Sequence, residues 1–341
     1  MKLRRLTSIL AAILAGAILL LCGCADVGEH SETFYAMDTV MTITAYGKNA
    51  EAGTSAAREE ILEKDKLWSV TNENSTLYAL NHGASAADAD TLALISYALD
   101  ISEKTGGALD PTVYPILTAW GFTTDENRVP DDEELSRLLE NVGYERVTVS
   151  ENEVRLPEGM MLDLGAVAKG RASDLAAELL RENGVSSAII NLGGNVYALG
   201  KKPDGSDWRI GIKDPESEKS VGVLSLSDRA VVTSGSYERC FTAPDGTVYG
   251  HIIDPKTGYP VNNELLSATM IAADGTLCDA LSTAMFVMGS EAAESYWREN
   301  GGFDMILITK NHELILTEGV EKNFALLEKN YTVSILKKAI Q

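Results

Sequence analysis

From Trp208 to Ala272 the chain runs as one short β-patterned stretch after another, with no helical periodicity, while helical patterns stand on both sides. Several strands must therefore follow one another directly, which a doubly wound parallel sheet does not accommodate. The expected class is α+β, with mixed and antiparallel sheets flanked by helices in one compact unit that holds a cleft.

The flanking patterns are specific. Thr39–Tyr46 alternates β-branched and small residues and reads as a strand. Glu51–Leu67, Asp90–Lys104, Pro130–Asn141, Ala168–Asn183, Leu277–Met288 and Glu291–Asn300 read as helices, the second stopped by Gly106-Gly107 and the third acidic at its start. Val147–Val149 and Val154–Leu156 form a small hairpin. Ser187–Asn191 is a strand closed by a Gly193-Gly194 turn, and Met305–Thr309 pairs with Glu313–Leu316. There is no fixed-period repeat and no Pro-rich linker.

The first residues carry a different signal. Lys2, Arg4 and Arg5 precede the apolar run Leu6–Leu21, which ends in Leu21-Cys22-Gly23-Cys24. A charged start, a short apolar run and a Leu three residues before a Cys resemble a bacterial lipoprotein leader. The reading is a signal peptide over 1–23, a lipid on Cys24, a polar tether over 24–33 and a catalytic domain over 34–341. The protein is then expected at the cell membrane, lipid-anchored on its extracytoplasmic face. Cys240 and Cys278 remain; apolar flanks favour two core thiols over a disulfide.

Of the 341 residues, 45% are hydrophobic and the formal net charge is −21. That is a globular balance, and its sign disfavours nucleic acid. It leaves room for a nucleotide ligand, which needs only local donors. The four histidines are scattered and no HExxH occurs, against a zinc enzyme.

Four segments carry chemistry. In Thr105–Val113 (TGGALDPTV) two glycines permit close backbone approach and Asp110 can accept hydrogen bonds. Asp163–Gly170 (DLGAVAKG) leads a glycine-bearing loop into a helix start, an anion site to which Lys169 adds a point charge. His251 precedes an Asp-Pro-x-Thr-Gly turn and is a candidate base near neutral pH. Asp279 and Thr283 are four apart on one helix face, two hard oxygen ligands suited to Mg²⁺. Each segment alone also fits a capped turn, a solvated lysine, a structural histidine or a polar stripe.

Together these segments resemble the FAD:protein FMN transferases, the ApbE family of bacterial lipoproteins, from about Phe34 to Leu316. The resemblance is also carried by Ala36–Met41 (AMDTVM), Ser75–Asn81 (STLYALN), Ser234–Phe241 (SGSYERCF), His251–Val261 (HIIDPKTGYPV) and Cys278–Gly289 (CDALSTAMFVMG). Asp38 stands where the family usually has glycine, and Gly250-His251 where it often has two histidines. The resemblance implies cleavage of FAD, transfer of FMN through its phosphate to a Thr or Ser of a target protein, and release of AMP. It implies that Met37, Ala108, Leu109, Asp110, Asp163, Lys169 and Ile253 touch FAD. It further implies that the Ala166 carbonyl, Asp279 and Thr283 hold Mg²⁺, with Mn²⁺ as the alternative. His251 matches the family's functionally important histidine, with Asp279 as the other candidate base, and Tyr237 and Arg239 approach the phosphates. The implied acceptor is a subunit of a membrane redox complex, such as a sodium-pumping NADH:quinone reductase or an Rnf-type complex. Two other readings stay open at this stage: a pyrophosphatase that splits FAD into FMN and AMP, and a flavin- or substrate-binding lipoprotein without transfer.

Overall fold

The computed structural model describes residues 28–124 and 126–338. The leader, Cys24 and the first part of the expected tether lie outside the described residues. The chain opens with a hairpin, β1 (Glu29–Ala36) and β2 (Thr39–Tyr46), followed by α1 (Ala50–Trp68), α2 (Thr76–Asn81), α3 (Ala89–Lys104), α4 (Tyr114–Trp120) and α5 (Asp132–Leu139). After a two-residue-per-strand hairpin, β3 (Thr148–Val149) and β4 (Val154–Arg155), come α6 (Ala168–Glu182), β5 (Ser187–Leu192) and β6 (Asn195–Gly200). The strand-rich middle holds β7 (Trp208–Lys213), β8 (Ser220–Leu226), β9 (Arg229–Gly235), β10 (Cys240–Thr242), β11 (Val248–Gly250) and β12 (Leu265–Ala272). Then follow α7 (Gly275–Met288), α8 (Ser290–Asn300), β13 (Asp304–Thr309), β14 (Glu313–Thr317), β15 (Phe324–Leu326) and β16 (Thr332–Leu336).

Nine strands form the main sheet in the order β1-β2-β5-β6-β9-β12-β13-β14-β16, and three more form a second sheet, β15-β8-β7. Every pairing in the main sheet is antiparallel except β14 with β16. The α+β expectation holds. On β2 the residues Met41, Ile43 and Ala45 alternate inward against α1 and the helical layer. Nearer the centre both faces are covered: Ala198, Val231, Ile271 and Ile306 pack against Trp208, Ile212 and Leu224 of the second sheet. That is why β12 (LLSATMIA) is buried along almost its whole length rather than alternating. A third cluster, around Trp120, Ile116, Leu135 and Ile253, joins α4 and α5 to the β10–β11 hairpin, and Trp120 Nε1 donates to the Gly258 carbonyl at 2.8 Å. Among the described residues no helix is long and apolar enough to cross a membrane.

Some expectations are corrected. The tether does not extend to residue 33, because β1 begins at Glu29 and pairs with β2 from Glu29↔Tyr46 to Ala36↔Thr39. An edge strand needs partners on one side only, so its polar residues are not a bar; Ser31 meets Thr44 and Thr33 meets Thr42 through their hydroxyls. Two short helices, α2 and α4, stand where only loop and turn chemistry was legible. The two cysteines are free: Cys278 is a core thiol, whereas Cys240 is exposed on the β10 strand.

The crossing of α6 and α7 fixes the site. The buried face of α6 is made of small residues, Ala168, Gly170, Ala172, Ser173, Ala176 and Ala177, so α7 lies close against it. A methyl at Gly170 would sit 2.3 Å from the Gly275 carbonyl and 2.7 Å from Asp279 Cβ. Both helices must move to admit it. Gly170→Ala is expected to cost roughly 1–3 kcal/mol through overpacking, read as a lower melting temperature.

Candidate active site

The loop Asp163–Val167 enters α6 with Val167 at the N-cap, a residue whose side chain accepts no hydrogen bond. Asp163 Oδ1 accepts from the Gly165 N–H at 2.7 Å and folds the loop back on itself. Burial pushes the Asp163 carboxyl up, against the pull of that N–H and of the Lys169 and Arg239 charges. In that first turn the Ala168 N–H donates to the Leu164 carbonyl at 2.8 Å and the Gly170 N–H to Asp279, so the Lys169 N–H and the positive end of the helix dipole are what face an anion. Lys169 stands over it, with Nζ donating to the Gly165 carbonyl at 3.1 Å and lying 3.9 Å from Asp279 Oδ1.

Asp279 sits on α7, a helix buried on nearly every side, where a charge is costly unless something holds it. Its Oδ2 accepts from the Gly170 N–H at 2.8 Å, the first turn of α6. Its Oδ1 accepts no hydrogen bond among the described residues, and Lys169 is the cation beside it. Thr283 follows one turn later, its Oγ1 3.3 Å from Ser234 Oγ, which itself lies 2.8 Å from Ser282 Oγ. Asp279, Thr283 and Ala166 all line one cleft. A buried carboxylate oxygen left without a donor, with a hydroxyl and a backbone carbonyl from residues of the same cleft, fits Mg²⁺ or Mn²⁺. No three His, Cys, Asp or Glu residues cluster among the described residues, so a cation here would rest on this mixed oxygen set together with ligand phosphates and water.

His251 follows β11 directly. Its Nδ1 lies 3.1 Å from the Glu238 carbonyl, which can only accept, so Nδ1 carries the proton and Nε2 keeps its lone pair. Burial pushes its pKa down to about 4, assisted by the nearby Arg239 and Lys169 charges and opposed by the Glu238 carbonyl. The imidazole is therefore neutral at pH 7. Two phosphates brought into the cleft would raise that value again, toward the range where a general base works.

The β1–β2 turn, Met37-Asp38, holds both residues in the left-handed region, at φ 47° and 56°. Asp tolerates this conformation better than most residues, which is how Asp38 serves at a usual glycine position; Met37 is the strained member. The Met37 N–H is held by Asp65 Oδ1 at 2.9 Å, and the Asp38 carbonyl accepts from Arg239 Nη2 at 3.2 Å. Arg239 is itself left-handed, at φ 38°. Strain of this kind gathers at ligand-binding edges.

Ala108, Leu109, Asp110 and Ile253 are buried and line the same cleft. Asp110 is occupied by its own loop: Oδ1 accepts from the Thr112 N–H and hydroxyl at 2.8 and 2.6 Å, and Oδ2 from the Tyr144 N–H at 3.1 Å. Burial pushes its carboxyl up and these donors oppose the shift. Its part in the cleft wall is to shape the Asp110–Thr112 turn, with no oxygen left free of a donor.

All eleven of the candidate site residues that fall within the described residues line this one cleft, whose volume is about 750 Å³. Tyr237 and Arg239 line it as well. The same walls include Asp65, Trp68, Asn195 and Lys213, which no motif marked. Asn195 had one signal, its place directly after the Gly193-Gly194 turn; the other three lie on elements whose periodicity says nothing about the cleft.

A lysine at a helix start, a buried carboxylate with a free oxygen and an imidazole with an open nitrogen around one cleft define an enzyme that works on a phosphate-bearing ligand. The family model described as the ApbE family matches residues 37–307, and the chain belongs to that family. A FAD:protein FMN transferase of Treponema pallidum is 33% identical over 348 residues, 93% of this chain and 96% of that protein. One from Klebsiella pneumoniae is 33% identical over 83% of this chain and 90% of its own length. Among solved structures, the ApbE protein of Thermotoga maritima superposes with a TM-score of 0.82 at 32% identity, covering 87% of this chain and 99% of that one. The flavin transferase ApbE of Vibrio cholerae gives 0.76 at 29% identity, covering 83% and 94%.

Proposed function

We propose that this protein transfers the FMN half of FAD to a Thr or Ser hydroxyl of another protein and releases AMP. The observation that carries the reading is the convergence of Lys169, Asp279, Thr283 and His251 on one cleft of dinucleotide size. The acceptor oxygen attacks the phosphorus on the FMN side, the bond from that phosphorus to the AMP oxygen breaks in line, and the hydroxyl proton goes to His251 Nε2. Lys169 and the start of α6 balance charge on the pyrophosphate, and Asp65 and Arg239 keep the Met37-Asp38 turn against the ligand. A bound Mg²⁺, held by Asp279, Thr283 and the Ala166 carbonyl, would neutralise the phosphate oxygens as charge moves to the leaving AMP.

The test is incubation with FAD, Mg²⁺ and the extracytoplasmic flavin-carrying domain of a sodium-pumping NADH:quinone reductase subunit, followed by mass spectrometry. A gain of one FMN on the acceptor with one AMP released supports the reading. FMN and AMP formed at the same rate with no adduct would make the enzyme a pyrophosphatase, and FAD bound but uncleaved would make it a carrier.

The leader supports a lipid-anchored protein on the extracytoplasmic face, within reach of membrane redox subunits. Cys24→Ala is expected to leave the chain without lipid, while a soluble form that starts after Cys24 keeps full activity. Mass spectrometry of the mature amino terminus checks this; a wild-type terminus other than an acylated Cys24 would remove the anchor.

A further inference from the structure

We infer that the open edge of β7 is the docking strand for the acceptor: an extended segment of the protein to be flavinylated pairs with Trp208–Lys213 and thereby carries its hydroxyl to the cleft. This rests on the transferase reading above. A ligand the size of FAD fills a cavity of about 750 Å³, so a folded acceptor cannot enter beside it. Only an extended segment reaches the phosphates, and an exposed sheet edge is the surface that binds such a segment through its main chain.

The strand order places β7 at the end of its sheet, paired on one side with β8. No other hydrogen bond to the backbone of residues 208–213 occurs among the described residues, so the outward half of its peptide groups is unpartnered. Sheet edges are open elsewhere too, at β1, β15, β16 and the two small hairpins. Of all these strands only β7 contributes residues to the cleft, Gly211 and Lys213. The edge is therefore continuous with the catalytic site. Trp208 and Ile212 anchor β7 in the core beneath it, which makes it a rigid platform. On the outer face Arg209, Gly211 and Lys213 are exposed. Gly211 leaves room for Ser220 of β8, where a Cβ would sit 2.5 Å from the Ser220 hydroxyl, and the flanking cations Arg209 and Lys213 keep the edge from pairing indiscriminately. At its cleft end Lys213 Nζ sits 5.4 Å from the Tyr237 ring centre, on the segment that leads to Arg239 and His251.

Successive residues of an antiparallel strand send their N–H groups to opposite edges. Of Arg209→Pro and Ile210→Pro, one therefore cuts a bond to β8 and the other removes an outward donor. The probe is the same flavin-carrying domain as in the mass-shift experiment. The variant that keeps the wild-type melting temperature and FAD affinity should raise the acceptor KM at least about tenfold with kcat held; an unchanged KM overturns the assignment. Should both variants lose stability, hydrogen exchange on the wild type decides. Amides of 208–213 become protected when the domain is added, and no protection there overturns the assignment. A wild-type dimer that the proline variant dissociates would give the edge to a second copy instead. A wild-type enzyme that binds FAD but leaves the domain unmodified fails the transferase reading before any variant is made, and the docking strand falls with it.

Discussion

Asp279→Ala is expected to lose transferase activity almost completely, by about 10³–10⁵-fold, the range that loss of one charge clamp on a transferring phosphoryl group costs. The carboxylate does two things at once. Its Oδ2 ties α7 to the first turn of α6 through the Gly170 N–H, and its Oδ1 faces the cleft without a donor. Removing it takes away the charged ligand of the proposed cation site and leaves Lys169 without its counter-charge. Thr283→Ala removes only a neutral oxygen, one turn away. Its cost should be roughly 10–100-fold in cation affinity, of the size seen when the shell around a metal site is cut. Binding of Mn²⁺ in the absence of FAD, followed by electron paramagnetic resonance, separates the two roles from general misfolding. Wild-type cation affinity in Asp279→Ala would remove this residue from the site.

His251→Ala should slow transfer by about 10²–10⁴-fold, the usual contribution of a positioned general base, with FAD affinity near that of the wild type. Its Nδ1 donates to the Glu238 carbonyl, so the variant also frees a backbone acceptor and a small drop in melting temperature is expected. The pH dependence has a definite sign. The folded-state pKa is about 4, below the ordinary 6.5. Between those values the unfolded chain takes up a proton that the folded chain does not, so stability falls as pH drops from about 6.5 to about 4. His251→Ala should flatten that slope. Single-turnover transfer, FAD titration and melting on one preparation check all three; wild-type transfer with an intact melt would leave Asp279 as the base.

How much of this was readable in advance depends on the range of the signal. The hairpin at Gly193-Gly194 is legible because a two-residue loop with both residues at positive φ demands glycine, here at 62° and 99°. Asp279 stands out because a charge in an otherwise apolar helix needs a reason. Lys169 and Gly165 before it mark a loop that enters a helix start with a cation beside it. In contrast, β1 was hidden: its first five residues are all polar, and only the presence of β2 makes them a strand. The hold of Asp110 on the Tyr144 N–H was equally invisible, because that partner lies 34 residues away.

By itself the sequence determined the local conformations and the chemical types, since periods of two and 3.6 residues, capping groups and turn glycines act within one segment. It also carried the family's motifs, and with them which segments belong to one site. What only the tertiary structure decided is how those segments meet. The Gly170–Gly275 contact sets the approach of α6 to α7 and so leaves one oxygen of Asp279 free. The Glu238 carbonyl fixes the proton of His251 on Nδ1. The second sheet covers the centre of the main one and brings the open edge of β7 to the cleft. Each of these depends on groups far apart along the chain, or on how separate elements pack. No periodicity within a segment encodes which distant partner it will meet, because that choice is made by the shape and burial of the whole.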